Sequence, residues 1–309
     1  MAAPAPRLSV VRLKPAPPNV LKALTAALAV IGTVACGAPT PESDSSRSPS
    51  APTRIVSIIP ATTEMLFAMG AGDRVVGVGS YDRFPPEIEG VPRVGGLVDP
   101  NTERILDLEP DLVIVYGTQT SVVEQLTRAN IPMFVYEHQG LGDIMATIRA
   151  LGARIGAGQD AERLASRMEQ SLAGVRGSVA GRPRPRTLLV FGREPGTLRA
   201  INASGGYGFL ADLLDVAGAA NVFADVPRQS VQTSTEMVLT LAPEVIIELR
   251  YGDAAARSDA EDLAAWNALP SVPAVRDRRV HILTGDEFVV PGPRITEAAR
   301  KLRDAIHAP

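Results

Sequence analysis

Thr102-Glu103-Arg104-Ile105-Leu106-Asp107-Leu108-Glu109-Pro110-Asp111-Leu112-Val113-Ile114-Val115 returns 133 residues later, without a gap, as Thr235-Glu236-Met237-Val238-Leu239-Thr240-Leu241-Ala242-Pro243-Glu244-Val245-Ile246-Ile247-Glu248. The chain therefore contains two similar halves. In each copy apolar residues three or four apart describe the last two turns of a helix. A proline then stops the helix, and a β-branched run suited to a buried parallel strand follows. Helix feeding strand at this spacing is an α/β unit, so two copies predict two α/β lobes. Thr233, three residues before Glu236, predicts a capping box for the second helix, whereas Asp99-Pro100-Asn101 opens the first. Glu103 and Glu236 both fall in a first helical turn, where a negative charge complements the helix dipole.

Working outward, Arg54 to Ile59 reads as a buried strand that Pro60-Ala61-Thr62-Thr63-Glu64 turns into a helix ending at Gly70. Strands over Arg74 to Val78, Leu112 to Val115 and Met133 to Tyr136 complete a first lobe, residues 54–140. The loop Gly79-Ser80-Tyr81-Asp82-Arg83-Phe84-Pro85-Pro86 is polar and aromatic, and its prolines exclude regular structure. Residues 141–185 instead carry two helical stripes, the second from about Asp160 to Val179. At 1.5 Å per residue that helix is roughly 30 Å long, enough to span both lobes as a stiff backbone. The second lobe, residues 186–309, opens with a strand over Thr187 to Phe191 and a loop over Gly192 to Gly208. A helix from Phe209, the second repeat, a helix and turn around Trp266, a strand over Val280 to Leu283 and a helix over Ile295 to Ile306 follow. The expected fold is α/β, with two parallel-sheet lobes joined by one long α-helix.

The start of the chain has another purpose. Arg7, Arg12, Lys14 and Lys22 precede an apolar run that ends in small residues at Cys36, and no acid interrupts residues 1–36. This is the pattern of a secretory signal, too short to span a bilayer. A cysteine directly after the small residues is similar to the bacterial lipoprotein signal, although Thr33 stands where leucine is usual; lipidation is expected at Cys36. Residues 37–53 are Ser, Pro, Thr and Ala without a large apolar side chain and read as a flexible tether.

The remaining composition narrows the function. Removing the signal takes the formal net charge from −3 to −7, so the chain has no basic patch with which to neutralise nucleic-acid phosphates. One cysteine excludes an internal disulfide, and His138, His281 and His307 are too few and too scattered for a metal-ion carrier. No Gly-x-Ser-x-Gly elbow, phosphate-cradling glycine loop or His-Glu-x-x-His occurs, so no enzyme is indicated and no metal or cofactor is expected.

From Arg54 onward the sequence resembles the substrate-binding proteins of ABC importers that use one rigid linking helix and carry cobalamin, ferric siderophores or haem. The stretches Ser57 to Glu64, Ser80 to Pro86, Asn101 to Val115, Ser234 to Ile247 and Leu283 to Arg294 carry the resemblance, which is closest to the cobalamin-binding branch. It implies a class III periplasmic-binding-protein fold and an exported, membrane-anchored monomer at the periplasm or cell surface. It also implies a permease with ATPase subunits as partner, and a corrinoid or ferric chelate as cargo. Glu103 and Glu236 match the surface glutamates that pair with permease arginines in that family. The same acid on two equivalent helices makes a two-point electrostatic handle, which fixes orientation more than it adds affinity.

Ligands of open α/β sheets bind at the carboxyl ends of the strands. That rule singles out Pro60, Ala61, Thr62, Tyr81, Phe84, Tyr116, Gly117, Glu137, His138, Arg193, Arg228, Asp286, Phe288 and Arg294. The resemblance places Tyr81 against the corrin and Asp286 and Arg294 at the cleft. Tryptophans expected near Tyr116, Arg228 and Glu287 are absent, and Arg193 and Arg228 could instead meet a siderophore or haem propionate.

Overall fold

The computed structural model describes residues 51–137, 139–256 and 258–308. The signal segment, Cys36 and most of the tether lie outside them. The first lobe contains β1 (Ile55–Ser57), α1 (Pro60–Ala68), β2 (Val75–Val78), α2 (Thr102–Asp107), β3 (Leu112–Tyr116), α3 (Thr120–Arg128) and β4 (Met133–Tyr136). Two helices follow, α4 (Leu141–Arg154) and α5 (Gly158–Ser178). The second lobe contains β5 (Arg186–Gly192), β6 (Ile201–Ser204), α6 (Phe209–Val216), β7 (Ala220–Asn221), β8 (Ser230–Thr233), α7 (Thr235–Leu241) and β9 (Val245–Arg250). It closes with α8 (Asp259–Trp266), α9 (Pro273–Arg276), β10 (Val280–Thr284) and α10 (Ile295–Ile306).

The first sheet runs β2-β1-β3-β4 and is wholly parallel. The second runs β10-β9-β5-β6-β8, and only part of it is parallel: β6 pairs antiparallel with both β5 and β8. This corrects the expectation of two parallel sheets. Ile201-Asn202-Ala203-Ser204 and Ser230-Val231-Gln232-Thr233 are too short and too polar to announce themselves as strands, and cross-strand pairing alone holds them.

The sequence repeat is also a structural one. Asn101 and Ser234 cap α2 and α7, their side chains accepting from the backbone N–H of Arg104 at 2.9 Å and Met237 at 3.3 Å. Thr233 is the last residue of β8, so the expected capping role belongs to Ser234. Both helices end alike. Glu109 and Ala242 take left-handed φ of 46° and 44°, and each precedes a proline that excludes the right-handed helical conformation. The carboxylates of Asp111 and Glu244 then accept from the backbone N–H of Arg54 at 2.8 Å and Arg186 at 2.7 Å, tying each repeat to the first strand of its lobe. Asp111 also accepts from Thr53 N–H at 2.8 Å, and Pro52 is buried. The folded body thus begins slightly before the expected boundary at residue 54.

Helix α5 has 21 residues, roughly 30 Å at 1.5 Å per residue. Gly152 lets α4 lie close against it, since a Cβ there would stand 2.1 Å from that of Ala161. One buried cluster runs from Ile55 and Val113 through Ile148, Met168 and Leu213 to Ile247 and Leu302. The lobes therefore share a core and are not merely strung on a helix. Along β5 and β9 the alternation of period two divides the faces: Leu189 and Ile247 join that core, while Leu188, Val190 and Ile246 join Trp266 in a smaller one.

Candidate ligand-binding cleft

A cleft of about 510 Å3 opens between the two sheets. Its first-lobe wall is Ile58 to Ala61 after β1, Tyr81 and Arg83 after β2, Leu97 and Val98 before α2, and Tyr116 and Tyr136 at the ends of β3 and β4. Tyr251 and Gly252 after β9, and Asp286 with Val289 to Pro291 after β10, form the opposite wall. A second chamber of about 310 Å3 shares Tyr251 and Val289 with the first and extends past Phe191, Tyr207 and Phe209. All five tyrosines of a chain with only 4% aromatic residues line these two chambers.

Packing sets the chemistry of these phenols. Tyr136 is wholly buried and donates to the carbonyl of Pro291 at 3.3 Å, which links the lobes behind the cleft. Tyr116 meets it edge-on, with ring centroids 5.3 Å apart and planes at 79°. Burial pushes the Tyr116 hydroxyl up to about 12 and raises Tyr136 as well, so both are neutral. Tyr81 is 65% exposed and offers its ring to the cleft. Arg83 reaches from the first lobe to Asp253 of the second at 2.9 Å, and Asp286 accepts from Gly252 N–H at 2.8 Å.

The structure brings Pro60, Ala61, Tyr81, Tyr116 and Asp286 together on the cleft wall. It places the other expected residues elsewhere. Thr62 is buried and donates to Ile59 O at 3.0 Å, holding the turn into α1. Phe84 lies under the Arg294 guanidinium, 4.3 Å from it. Arg294 is paired with Glu64 at 2.6 Å and Glu287 at 3.5 Å, not with Asp286. Burial raises the Glu64 pKa, and Arg294 opposes that rise. Phe288 belongs to the shared core, Gly117 sits beside the Glu137 carboxylate, and Arg228 is exposed outside both chambers. His138 lies outside the described residues.

Arg193 is the largest departure. Its side chain is wholly buried, 3.0 Å from Glu248 and 3.1 Å from Asp262, and Arg250 joins the cluster through Asp262 at 2.7 Å. These charges are committed to one another on the Trp266 face of the second sheet.

Residues 55–287 match the periplasmic binding protein family. The chain belongs to that family. It is 29% identical over 255 residues to a vitamin B12-binding protein of Pectobacterium carotovorum, covering 81% of this chain and 87% of that one. It is also 29% identical over 261 residues, 83% of this chain and 80% of the other, to an uncharacterized ABC transporter substrate-binding lipoprotein of Bacillus subtilis. Among solved structures it resembles the periplasmic vitamin B12-binding protein of Vibrio cholerae, with TM-score 0.70 and 25% identity over 84% of this chain and 98% of that one. It likewise resembles a periplasmic heme-binding protein from Roseiflexus, with TM-score 0.71 and 27% identity over 82% and 97%.

As a periplasmic binding protein the chain presents its cleft with Glu103 and Glu236 outside it, both exposed on the first turns of α2 and α7. A hydrogen bond with Ser234 holds the Glu236 carboxyl below its usual range. No helix among the described residues is long and apolar enough to cross a membrane. Sequence reasoning missed Tyr136, Arg83 and Tyr251 as cleft residues. Tyr136 closes a strand that was itself legible, and Tyr251 directly follows the strand of the second repeat. Extending the strand-end rule to the last residue of each strand would have found Tyr136, and applying it to the residue after the second repeat's strand would have found Tyr251.

Proposed function

We propose that this periplasmic binding protein is the substrate-binding component of an ABC importer, capturing a cobalamin-like corrinoid between its lobes and delivering it to a membrane permease. The observation that carries the reading is the concentration of every tyrosine in the chain on the walls of the cleft. Neutral phenols and apolar side chains suit a broad, largely uncharged macrocycle, which gains from apolar contact and from a few placed hydrogen bonds. The likeness to vitamin B12-binding proteins over four-fifths of the chain supports the same cargo. On this reading the corrinoid is cargo and not a resident cofactor.

Glu103 and Glu236 meet basic side chains of the permease, the ATPase subunits act from the far side of the membrane, and the monomer is exported and tethered at Cys36. Haem or a ferric siderophore is the second reading. Arg83 favours it, because a guanidinium at the mouth of the cleft can fork onto a carboxylate. Calorimetric titration of the purified protein with cyanocobalamin, haemin and a ferric siderophore tests both readings. The corrinoid is expected to bind most tightly, and binding of none of the three refutes the proposal.

A further inference from the structure

A formal net charge of −3 excludes a chain that is basic throughout, but it does not exclude a basic face. Strands β5, β9 and β10 are mutually parallel, so their first residues lie at one end of the second sheet, opposite the carboxyl ends that build the cleft. Arg186 opens β5, Arg278 and Arg279 precede β10, and Arg182 and Arg184 belong to the connection from α5. In Arg182-Pro183-Arg184-Pro185-Arg186 the prolines fix alternate φ angles, which keeps the arginines spread before any partner arrives. Tertiary contacts draw these segments together. Arg176 and Arg184 share Asp215 at 3.2 and 2.6 Å, and Arg279 donates to Ile306 O at 2.7 Å. Burial, and then the charges of Arg182, Arg279 and Arg303, hold the His307 imidazole below its usual range against the opposing Ala217 carbonyl. The acids at this end do not balance the arginines. Asp277 and Asp304 pair with Arg276 and Arg303, Glu244 takes the backbone N–H of Arg186, and Asp215 already serves two arginines. Arg182, Arg278 and Arg279 have no carboxylate within ion-pair distance among the described residues, and the first two are exposed. Arg278 also holds a left-handed φ of 58°, where glycine would sit without strain.

We propose that this face rests on the anionic phospholipid surface to which the chain is tethered, holding the protein in a waiting orientation distinct from the one that docks. A plane of headgroup phosphates meets several separated guanidiniums at once, and each can fork onto phosphate oxygens. The tether is long enough. Ala51 enters the body beside Gly156, where an added Cβ would stand 3.0 Å from that of Ala51, just before the start of α5. The arginines follow the end of α5, roughly 30 Å away. Residues 37–50 reach roughly 46–50 Å when fully extended, more than that span. Glu236 lies at the other end of the lobe: Arg186 donates to Leu241 O at the end of α7, whereas Glu236 is in its first turn. Resting on lipid and docking through Glu236 therefore use opposite ends of the second lobe. The proposal rests on Cys36 as the lipid anchor, but the face is tested separately.

Phenylglyoxal labelling of arginines, read residue by residue by mass spectrometry, tests the face on the full chain. Vesicles of phosphatidylcholine alone are compared with vesicles of equal parts phosphatidylcholine and phosphatidylglycerol. Intact mass shows first whether Cys36 carries lipid, so failure of the anchor and failure of the face are read separately. Arg182, Arg186 and Arg278 are expected to label several-fold more slowly on the anionic vesicles and to recover in high salt. The exposed Arg104 and Arg199, away from this face, are expected to label alike on both. Arg182→Gln with Arg278→Gln, shown by thermal melts to be folded, should lower the ratio of resting to free protein about twenty-five-fold, at about fivefold per arginine. Arg186 should then lose its protection. Equal labelling on the two kinds of vesicle, or protection of Arg186 that persists in the folded double variant, overturns the proposal. Equal protection by inorganic phosphate or duplex DNA without vesicles overturns the assignment to a membrane surface.

Discussion

Replacing Arg193 with alanine should destabilise the protein while leaving the cleft able to bind. The guanidinium is fully buried, donates to Glu248 at 3.1 Å, to Asp262 O at 3.0 Å and to Thr197 O at 2.8 Å, and lies 5.9 Å from the Trp266 ring centroid. Its removal leaves Asp262 held by Arg250 at 2.7 Å, but leaves Glu248 with the Trp266 indole N–H at 3.1 Å. Breaking one partner out of a buried ion cluster costs about 3–5 kcal/mol, because a desolvated charge is stranded. For a chain of this size that corresponds to a fall in Tm of about 6–20 °C. Arg193→Lys should fall between, since an ammonium keeps the charge but cannot fork onto two carboxylates. The only tryptophan sits in the cluster, so its fluorescence during urea unfolding reports the loss directly. Calorimetry well below the transition then measures ligand affinity. An unchanged urea midpoint with a large loss of affinity would refute the reasoning and return Arg193 to the cleft.

Three further outcomes follow from the geometry. Asp82 is 2% exposed, and burial pushes it up from 3.8 to about 7, with Thr63 and Arg93 opposing only part of the rise. Its folded form holds the proton more tightly, so the stability it contributes is full below pH 3.8 and drains away as the pH rises through about 7. Melts from pH 4 to 8 should show Asp82→Asn gaining up to about 4 kcal/mol over the original at the alkaline end and nothing at the acid end; a pH-independent gap would contradict this. Gly152→Ala should cost about 1–3 kcal/mol by overpacking α4 on α5. Because the clash is with the Cβ of Ala161, the double variant with Ala161→Gly should recover part of the lost Tm. Reversing both acids proposed to dock, Glu103→Lys with Glu236→Lys, should abolish stimulation of the reconstituted importer's ATPase without weakening ligand binding. Undiminished stimulation would sink the two-point handle.

Much of the architecture was legible because it is written in local patterns. The repeat at a constant offset, the proline after each helix and the β-branched runs fixed two α/β units. The strand Met133–Tyr136 and the helix Ile295–Ile306 coincide with their expected bounds because periodicity and flanking residues agree there. The short antiparallel strands β6 and β8 were not legible, since their pairing joins segments about thirty residues apart with no alternation to mark them.

By itself, then, the sequence determined the duplicated helix-strand units, the exposed glutamate on each and the strand ends from which a binding cleft is built. Only the tertiary structure decided which strand-end side chains reach that cleft. Arg193, Phe288 and Tyr251 all sit near the ends of strands, yet Arg193 turns into a buried ion cluster, Phe288 into the shared core, and Tyr251 alone toward the ligand space. The direction in which a loop side chain points depends on partners distant in the chain, here Glu248 and Asp262 for Arg193, and residue type and position do not reveal such partners before the chain has folded.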